Sequence, residues 1–157
     1  MTEVSKIEIR RGREEDAAKI VDFQLRMADE TEGIALHRPT VEKGVQAVFD
    51  DPRKGMYWIA EADGATAGCL LTVPEWSDWR NGTVLWVHSV YVVPEARRLG
   101  VFRMLYEALK TTVEASPDLH GLRLYVAREN TDAQQTYAVM GMDDGRYRMF
   151  EWLSAEH

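Results

Sequence analysis

Two periodicities alternate along this chain. Near the N-terminus, "KIEIR" switches between apolar and polar at every residue, the pattern of a half-buried strand. "REEDAAKIVDFQLRMADE" comes next, with acids where a helix begins and with Ala17, Ile20, Val21 and Met27 or Ala28 near one face. "TVEKGVQAVFDD" predicts a short second helix, with Thr40 as its N-cap and Pro52 beyond its end. "MYWIAEADGATAGCLLTV" predicts two strands joined by a tight turn at Asp63-Gly64. A polar, Trp-rich loop, "PEWSDWRNG", leads into a strand over Thr83–Val93. From Val101 the apolar positions Val101, Met104, Leu105, Ala108 and Leu109 return at helical spacing. "GLRLYVA" predicts another strand, and "TDAQQTYAVMGM" a helix capped by Thr131 and closed by Gly141. "GRYRMFEWL" predicts the last strand. The resulting order is β-α-α-β-β-β-α-β-α-β, an α/β chain with a mixed sheet and helices packed on it.

Composition narrows the function classes. The 157 residues suffice for one core, and 45% hydrophobic with 29% charged residues describes a globular protein. No apolar run approaches the length of a membrane helix, and the N-terminal residues lack the apolar core of a signal peptide, which predicts a cytoplasmic protein without a membrane partner. A net charge of −7 opposes nucleic-acid binding and favours a cationic partner. The single cysteine, Cys69, lies in an apolar run and reads as a small buried hydrophobe. His37, His120 and His157 have no metal-ligand spacing with His88, so no metal is expected.

The most informative stretch is "VYVVPEARRLGVFRMLYEAL", where a strand becomes a helix. A helix start presents N–H groups without intrahelical partners, and phosphates bind there readily. Arg97, Arg98 and Arg103 concentrate positive charge at this start, and Gly100 permits close approach of the chain. Taken alone, the stretch could equally be a simple strand–helix corner with solvated arginines.

Together with the element order, these residues resemble the GNAT superfamily of acyl-CoA-dependent N-acetyltransferases. The family motif Arg/Gln-x-x-Gly-x-Gly/Ala is matched by Arg97 and Gly100, with Phe102 at the usual small position. A second landmark, "LYVARENTDAQQTYAVMGM", is similar to the family's Asn-x-x-Ala-x-x-x-Tyr-x-x-x-Gly-Phe through Asn130, Ala133, Tyr137 and Gly141, with Met142 for Phe. The resemblance implies a single domain over residues 1–157, a mostly antiparallel mixed sheet with helices on both faces, acetyl-CoA as cosubstrate, and a homodimer. It further implies that Arg97, Arg98, Leu99, Gly100, Val101, Phe102 and Arg103 form a pyrophosphate-binding turn. Val90, Tyr91 and Val92 would lend backbone groups to the pantetheine arm. Asn130 and Tyr137 would complete the cofactor site, with Tyr137 protonating the departing CoA sulfur.

In related diamine and polyamine acetyltransferases a glutamate near the position of His88 is proposed as base, and a histidine has a pKa suited to that role. The alternative for His88 is a histidine satisfied by a backbone carbonyl, and for Tyr137 a core aromatic. The loop resembles the acceptor-side loop of the same group. Glu75 and Asp78 would pair with an ammonium, and Trp76 and Trp79 would pack on its alkyl chain. The same residues could instead form a plain hairpin. "ADETEG", Ala28 to Gly33, offers a second acidic rim or a solvated helix end.

The expected activity is acetyl transfer from acetyl-CoA to a primary amine, a small cationic one, by direct attack in a ternary complex. The alternatives are acetylation of a protein N-terminus or lysine, and a non-catalytic acyl-CoA-binding module, which Phe102 keeps open.

Overall fold

A computed structural model describes residues 5–155, so the ends of the expected 1–157 domain lie outside the described residues. The chain divides into two compact units, one ending at Arg123 and one beginning at Leu124.

The first unit contains a five-stranded sheet in the order of the sequence: β1 (Ile7–Arg11), β2 (Met56–Ala62), β3 (Ala65–Ser77), β4 (Gly82–Val92) and β5 (Leu119–Arg123). The first four form an antiparallel meander, and β5 joins β4 in parallel after a helical crossover, as parallel strands require. The turn between β2 and β3 is the expected Asp63-Gly64 pair, with both residues at positive φ (52° and 83°). The Trp-rich stretch is not a loop. β3 continues through Trp76 to Ser77, Trp76 pairs with Thr83, and only Asp78 to Asn81 turn.

Helices cover both faces. On one lie α1 (Ala17–Glu32) and α2 (Arg38–Asp50), whose Ile20, Val21, Phe23 and Val45 pack with Tyr57, Ile59, Cys69 and Tyr91 of the sheet. The acids expected at the first helix start occupy a 3₁₀ turn, Glu14–Asp16. Buried Asp16 accepts both terminal nitrogens of Arg10 and the Arg13 N–H, which holds its carboxyl below the usual range. α2 begins before Thr40. Its N-cap is His37, and Pro39 in the first turn needs no intrahelical acceptor, so the helix starts there.

On the other face α3 (Val101–Ala115) seats Val101, Leu105 and Leu109, all buried. Gly68 of β3 is where this helix begins its approach. A Cβ at Gly68 would lie 2.7 Å from the Tyr91 carbonyl oxygen and 3.3 Å from Val101 Cγ1.

β5 begins two residues earlier than expected and stops at Arg123, ahead of the "LYVA" half of its apolar run. The second unit contains α4 (Thr131–Val139). Its cap is Asn130, not Thr131: the Asn130 side-chain oxygen accepts the Ala133 N–H at 3.2 Å. The expected last strand does not form. Residues 145–153 are exposed and, among the described residues, have no ladder partner, without which alternation alone cannot hold a strand.

Gly68→Ala should destabilise the protein by about 1–3 kcal/mol, the usual cost of overpacking. Thermal or urea unfolding checks this; an unchanged midpoint would mean that β4 and α3 move aside without cost.

Candidate active site

β4 is irregular at its centre. Leu71 of β3 pairs with His88 and Cys69 with Tyr91, so two steps along β3 match three along β4. The extra residue is accommodated at Ser89, whose φ of 56° is unusual for a residue with a side chain. This is a β-bulge. Residues three apart in a regular strand point to opposite faces. Here His88 and Tyr91 share one face, that of Leu71, Cys69, α1 and α2.

The opposite edge of β4 opens at the same level. Its pairing with β5 ends at Trp86 and Arg123, and among the described residues no strand pairs with 87–92 on that side. The Val93 N–H donates to Ala67 O in β3, so alternation turns the backbone groups of Val90 and Val92 to the open edge. Those of Tyr91 face β3.

Beyond Val92 the chain forms a 3₁₀ turn, Pro94–Ala96, then passes through Arg98 and Gly100 at φ of 72° and 81° before α3 begins. Gly100 is the N-cap and has no side chain with which to cap the helix. The Met104 N–H donates to Gly100 O at 3.0 Å, which leaves the N–H groups of Val101, Phe102 and Arg103 directed out of the helix end. Among the described residues, a Cβ at Gly100 would meet nothing within 4 Å. Arg98, Leu99 and Arg103 are exposed, Val101 is buried, and half-buried Phe102 lies 6.4 Å from the Tyr106 ring.

Arg97 is engaged differently. Its Nη2 donates to Glu30 Oε2 at 2.8 Å, its Nε donates to Val92 O at 3.0 Å, and its guanidinium lies 5.6 Å from the centre of the Tyr91 ring. The Tyr91 hydroxyl donates to the other Glu30 oxygen at 3.0 Å. Arg97 and the Tyr91 hydroxyl together hold the Glu30 carboxyl below its ordinary range. Glu30 lies in the acidic "ADETEG" run, which thus serves the Arg97 turn.

His88 is half-buried, and loss of water lowers its pKa from the ordinary value. It is accordingly neutral at pH 7 and able to accept a proton. The Trp86 ring lies parallel to it within 12°, at 6.2 Å. Trp86 Nε1 donates to Glu75, whose oxygens also accept Arg123 Nη1 at 3.2 and 3.3 Å. Arg123 therefore already meets the Glu75 charge. Trp76, Asp78 and Trp79 sit at the hairpin end. Thr83, the partner of Trp76, is five residues from His88, about 17 Å at the rise of a strand. These three side chains and His88 are not brought together. Cys69 is fully buried on the His88 face, and burial pushes its thiol up to about 12.

In the second unit, Asn130 spends its side-chain oxygen on the α4 cap. Tyr137 lies on this helix, half-buried, and loss of water raises its pKa, so it keeps its proton at neutral pH. Gly141, at φ 92°, lets the chain turn so that the Met142 N–H donates to Tyr137 O at 3.0 Å.

Sequence reasoning misses Ser89, Trp86 and Arg123. Serine fits an ordinary strand, so nothing in the residue string marks the bulge. Trp86 and Arg123 depend on the pairing of β3, β4 and β5.

The model of the acetyltransferase (GNAT) family matches residues 21–142, across the division between the two units. A possible acetyltransferase from Clostridium difficile 630 has 39% identity, a TM-score of 0.89, and covers 96% of this chain and 99% of its own. Two more distant structures share the fold. A predicted acetyltransferase with acetyl-CoA from Clostridium acetobutylicum has 16% identity and a TM-score of 0.74, covering 97% of this chain and 100% of its own. A ribosomal-protein-alanine N-acetyltransferase from Brucella melitensis biovar Abortus 2308 has 19% identity and a TM-score of 0.74, covering 94% and 99%. No curated protein sequence matches significantly. The chain belongs to the GNAT acetyltransferase family. It is an acetyl-CoA-dependent N-acetyltransferase. Among the described residues no helix is long and apolar enough to cross a membrane.

NMR titration should place the midpoint of His88 below 6.5. A histidine with a lowered folded pKa binds fewer protons folded than unfolded in that window, so stability falls as pH drops from 6.5 toward the folded value. His88→Gln should flatten this part of the stability–pH curve; a midpoint no lower than that of an ordinary histidine would contradict the burial argument.

Proposed function

We propose that this enzyme transfers an acetyl group from acetyl-CoA to a small cationic primary amine, in one domain spanning residues 1–157. The observation that carries the reading is the alignment of two features on one strand. From Val87 to Val92 the edge of β4 is open, and immediately beyond it stands the N-terminus of α3 behind Gly100. An extended pantetheine arm fits such an edge as an added strand, and a diphosphate fits a helix N-terminus. In this reading the turn from Arg97 to Arg103 receives the diphosphate through its backbone N–H groups and the charges of Arg98 and Arg103. Val90 and Val92 supply backbone groups to the arm.

The chemistry requires a neutral amine, an electrophilic thioester carbon and a proton for the sulfur. The amine nitrogen attacks the carbonyl carbon, His88 takes the proton that nitrogen sheds, and the C–S bond breaks as the sulfur takes up a proton, the donor role that the family resemblance gives Tyr137. Solvent then returns a proton to Tyr137. A desolvated, neutral His88 supports the base role, and a phenol that burial keeps protonated supports the acid role. Net charge −7 supports a cationic acceptor. Glu75 is paired with Arg123 and Trp79 lies in the turn beyond β3, so in this reading Trp76, Asp78 and Trp79 would meet the acceptor only away from His88.

The test measures free CoA released with a panel of amines. Tyr137→Phe should lower turnover by about 10²-fold with acetyl-CoA affinity kept. His88→Gln should abolish an enzyme-derived rising limb in the kcat/KM–pH profile, identified by its insensitivity to the amine's own pKa. Wild-type rates and an intact limb in both variants would assign the two residues to packing and the proton transfers to solvent.

Gly100→Val puts a β-branched side chain just before α3 at a φ that only glycine adopts freely, and should weaken acetyl-CoA binding by about tenfold or more in calorimetry. Unchanged affinity in the folded variant would remove this turn from the cofactor site.

A further inference from the structure

The family motif opens with Arg97, and charge alone would assign its guanidinium to the diphosphate. The contacts around it describe a different use. Three groups hold the guanidinium: the Glu30 carboxylate, the Val92 carbonyl and the face of the Tyr91 ring. They belong to different parts of the fold. Glu30 is in the last turns of α1, two residues before its end and three before its left-handed cap, Gly33. Val92 ends β4, with its carbonyl on the open edge, and Tyr91 is a core residue of β4 only 4% exposed. Glu30 divides its two oxygens between Arg97 and the Tyr91 hydroxyl, and Arg26, one turn earlier in α1, faces that same hydroxyl.

A planar guanidinium suits this work. Its Nε and Nη2 donate from fixed positions on one rigid plane, so one side chain spans from a strand-edge carbonyl to a helix carboxylate. Lysine has a single charged nitrogen and no such fork. The Glu30 charge also offsets that of Arg97, whereas Arg98 and Arg103 have no ion-pair partner among the described residues and remain the cations available to a diphosphate.

We infer that Glu30 is a positioning residue of the cofactor site, holding Arg97 as a strut between the end of α1 and the end of β4 so that Arg97 shapes the turn instead of binding phosphate. This rests on the proposed cofactor site and specifies how its first motif residue acts. The turn that carries the left-handed Arg98 and Gly100 hangs directly from Arg97. Without the strut, its backbone N–H groups would sample more orientations, and the cofactor would have to order them on binding.

The experiment measures acetyl-CoA affinity by calorimetry, at low and high NaCl, for wild type, Glu30→Gln, Arg97→Gln, Arg97→Lys and the Glu30→Gln/Arg97→Gln double variant. Both positions are substantially exposed, so the variants should fold, and melting curves check this. A strut predicts that each single variant weakens binding by about three- to tenfold, that Lys does no better than Gln at position 97, and that the double variant is no worse than either single one. It also predicts that the salt dependence of binding persists in Arg97→Gln, since Arg98 and Arg103 supply the screened attraction. Tighter or unchanged binding in Glu30→Gln would overturn the inference, because freeing a phosphate-binding Arg97 from its acid partner should help the ligand. Near-wild-type affinity in Arg97→Lys beside a loss in Arg97→Gln, with a weakened salt dependence, would equally assign the Arg97 charge to the diphosphate. Gly100→Val separates the two levels: if it leaves affinity unchanged the cofactor turn itself is wrong, whereas if it weakens binding and the Glu30 and Arg97 variants do not, only the strut fails.

Discussion

One additional residue in β4, absorbed at Ser89, orients the chemistry of the first unit. Without it, His88 and Tyr91 would point to opposite faces of the sheet. With it, a titratable ring and the tyrosine that meets Glu30 lie on the same side, above Leu71 and Cys69. A side-chain-bearing residue in the left-handed region costs about 1–2 kcal/mol. The ladder to β3 resumes on both sides of the bulge and holds Ser89 there. The same level of the strand is where β5 stops pairing, so the local twist of a bulge and the opening of an edge coincide.

The segment after β4 completes the arrangement. Gly68 lets the start of α3 come down onto the sheet, and Gly100 lets the chain turn into it. The helix terminus thus stands beside the open strand edge, fixed from below by buried Val101. On the α1 side, Glu30 and Tyr91 join the end of α1 to that turn. A backbone surface rich in N–H groups that the helix itself does not use is supported by apolar packing on one side and by an ionic contact on the other.

Much of this is legible in the residue string, for physical reasons that differ from element to element. The α3 stripe reads cleanly because one face is buried and the other is not, and Asp63-Gly64 reads cleanly because few dipeptides accept two positive φ values. The Arg97–Gly100 junction is visible because glycine and clustered charge mark a helix start. The caps are less legible: Thr40 and Thr131 have the right chemistry, yet Pro39 and Asn130 set the boundaries one or more residues earlier. "EWS" has the polarity of a turn, whereas Glu75 is polar for its pairing with Arg123 and Trp86. That pairing joins three strands, and no local pattern encodes it. The fold class therefore follows from periodicity, but the face of His88 follows from an unpatterned serine. The "GRYRMFEWL" stretch shows the converse: alternation specifies which face a strand would bury, and a partner must still be present to pair with it.

Cys69 has a practical consequence for the enzyme at the bench. Its thiol is wholly covered by core side chains and stays protonated far above neutral pH. Thiol reagents react with the thiolate at accessible sulfur. The folded protein therefore contributes no sulfur signal of its own, and each mole of chromophore released by a disulfide dye reports one mole of CoA set free. The same property turns against a failing sample: as the core opens, Cys69 becomes reactive, and a slow rise in dye signal without substrate is a direct count of unfolded molecules.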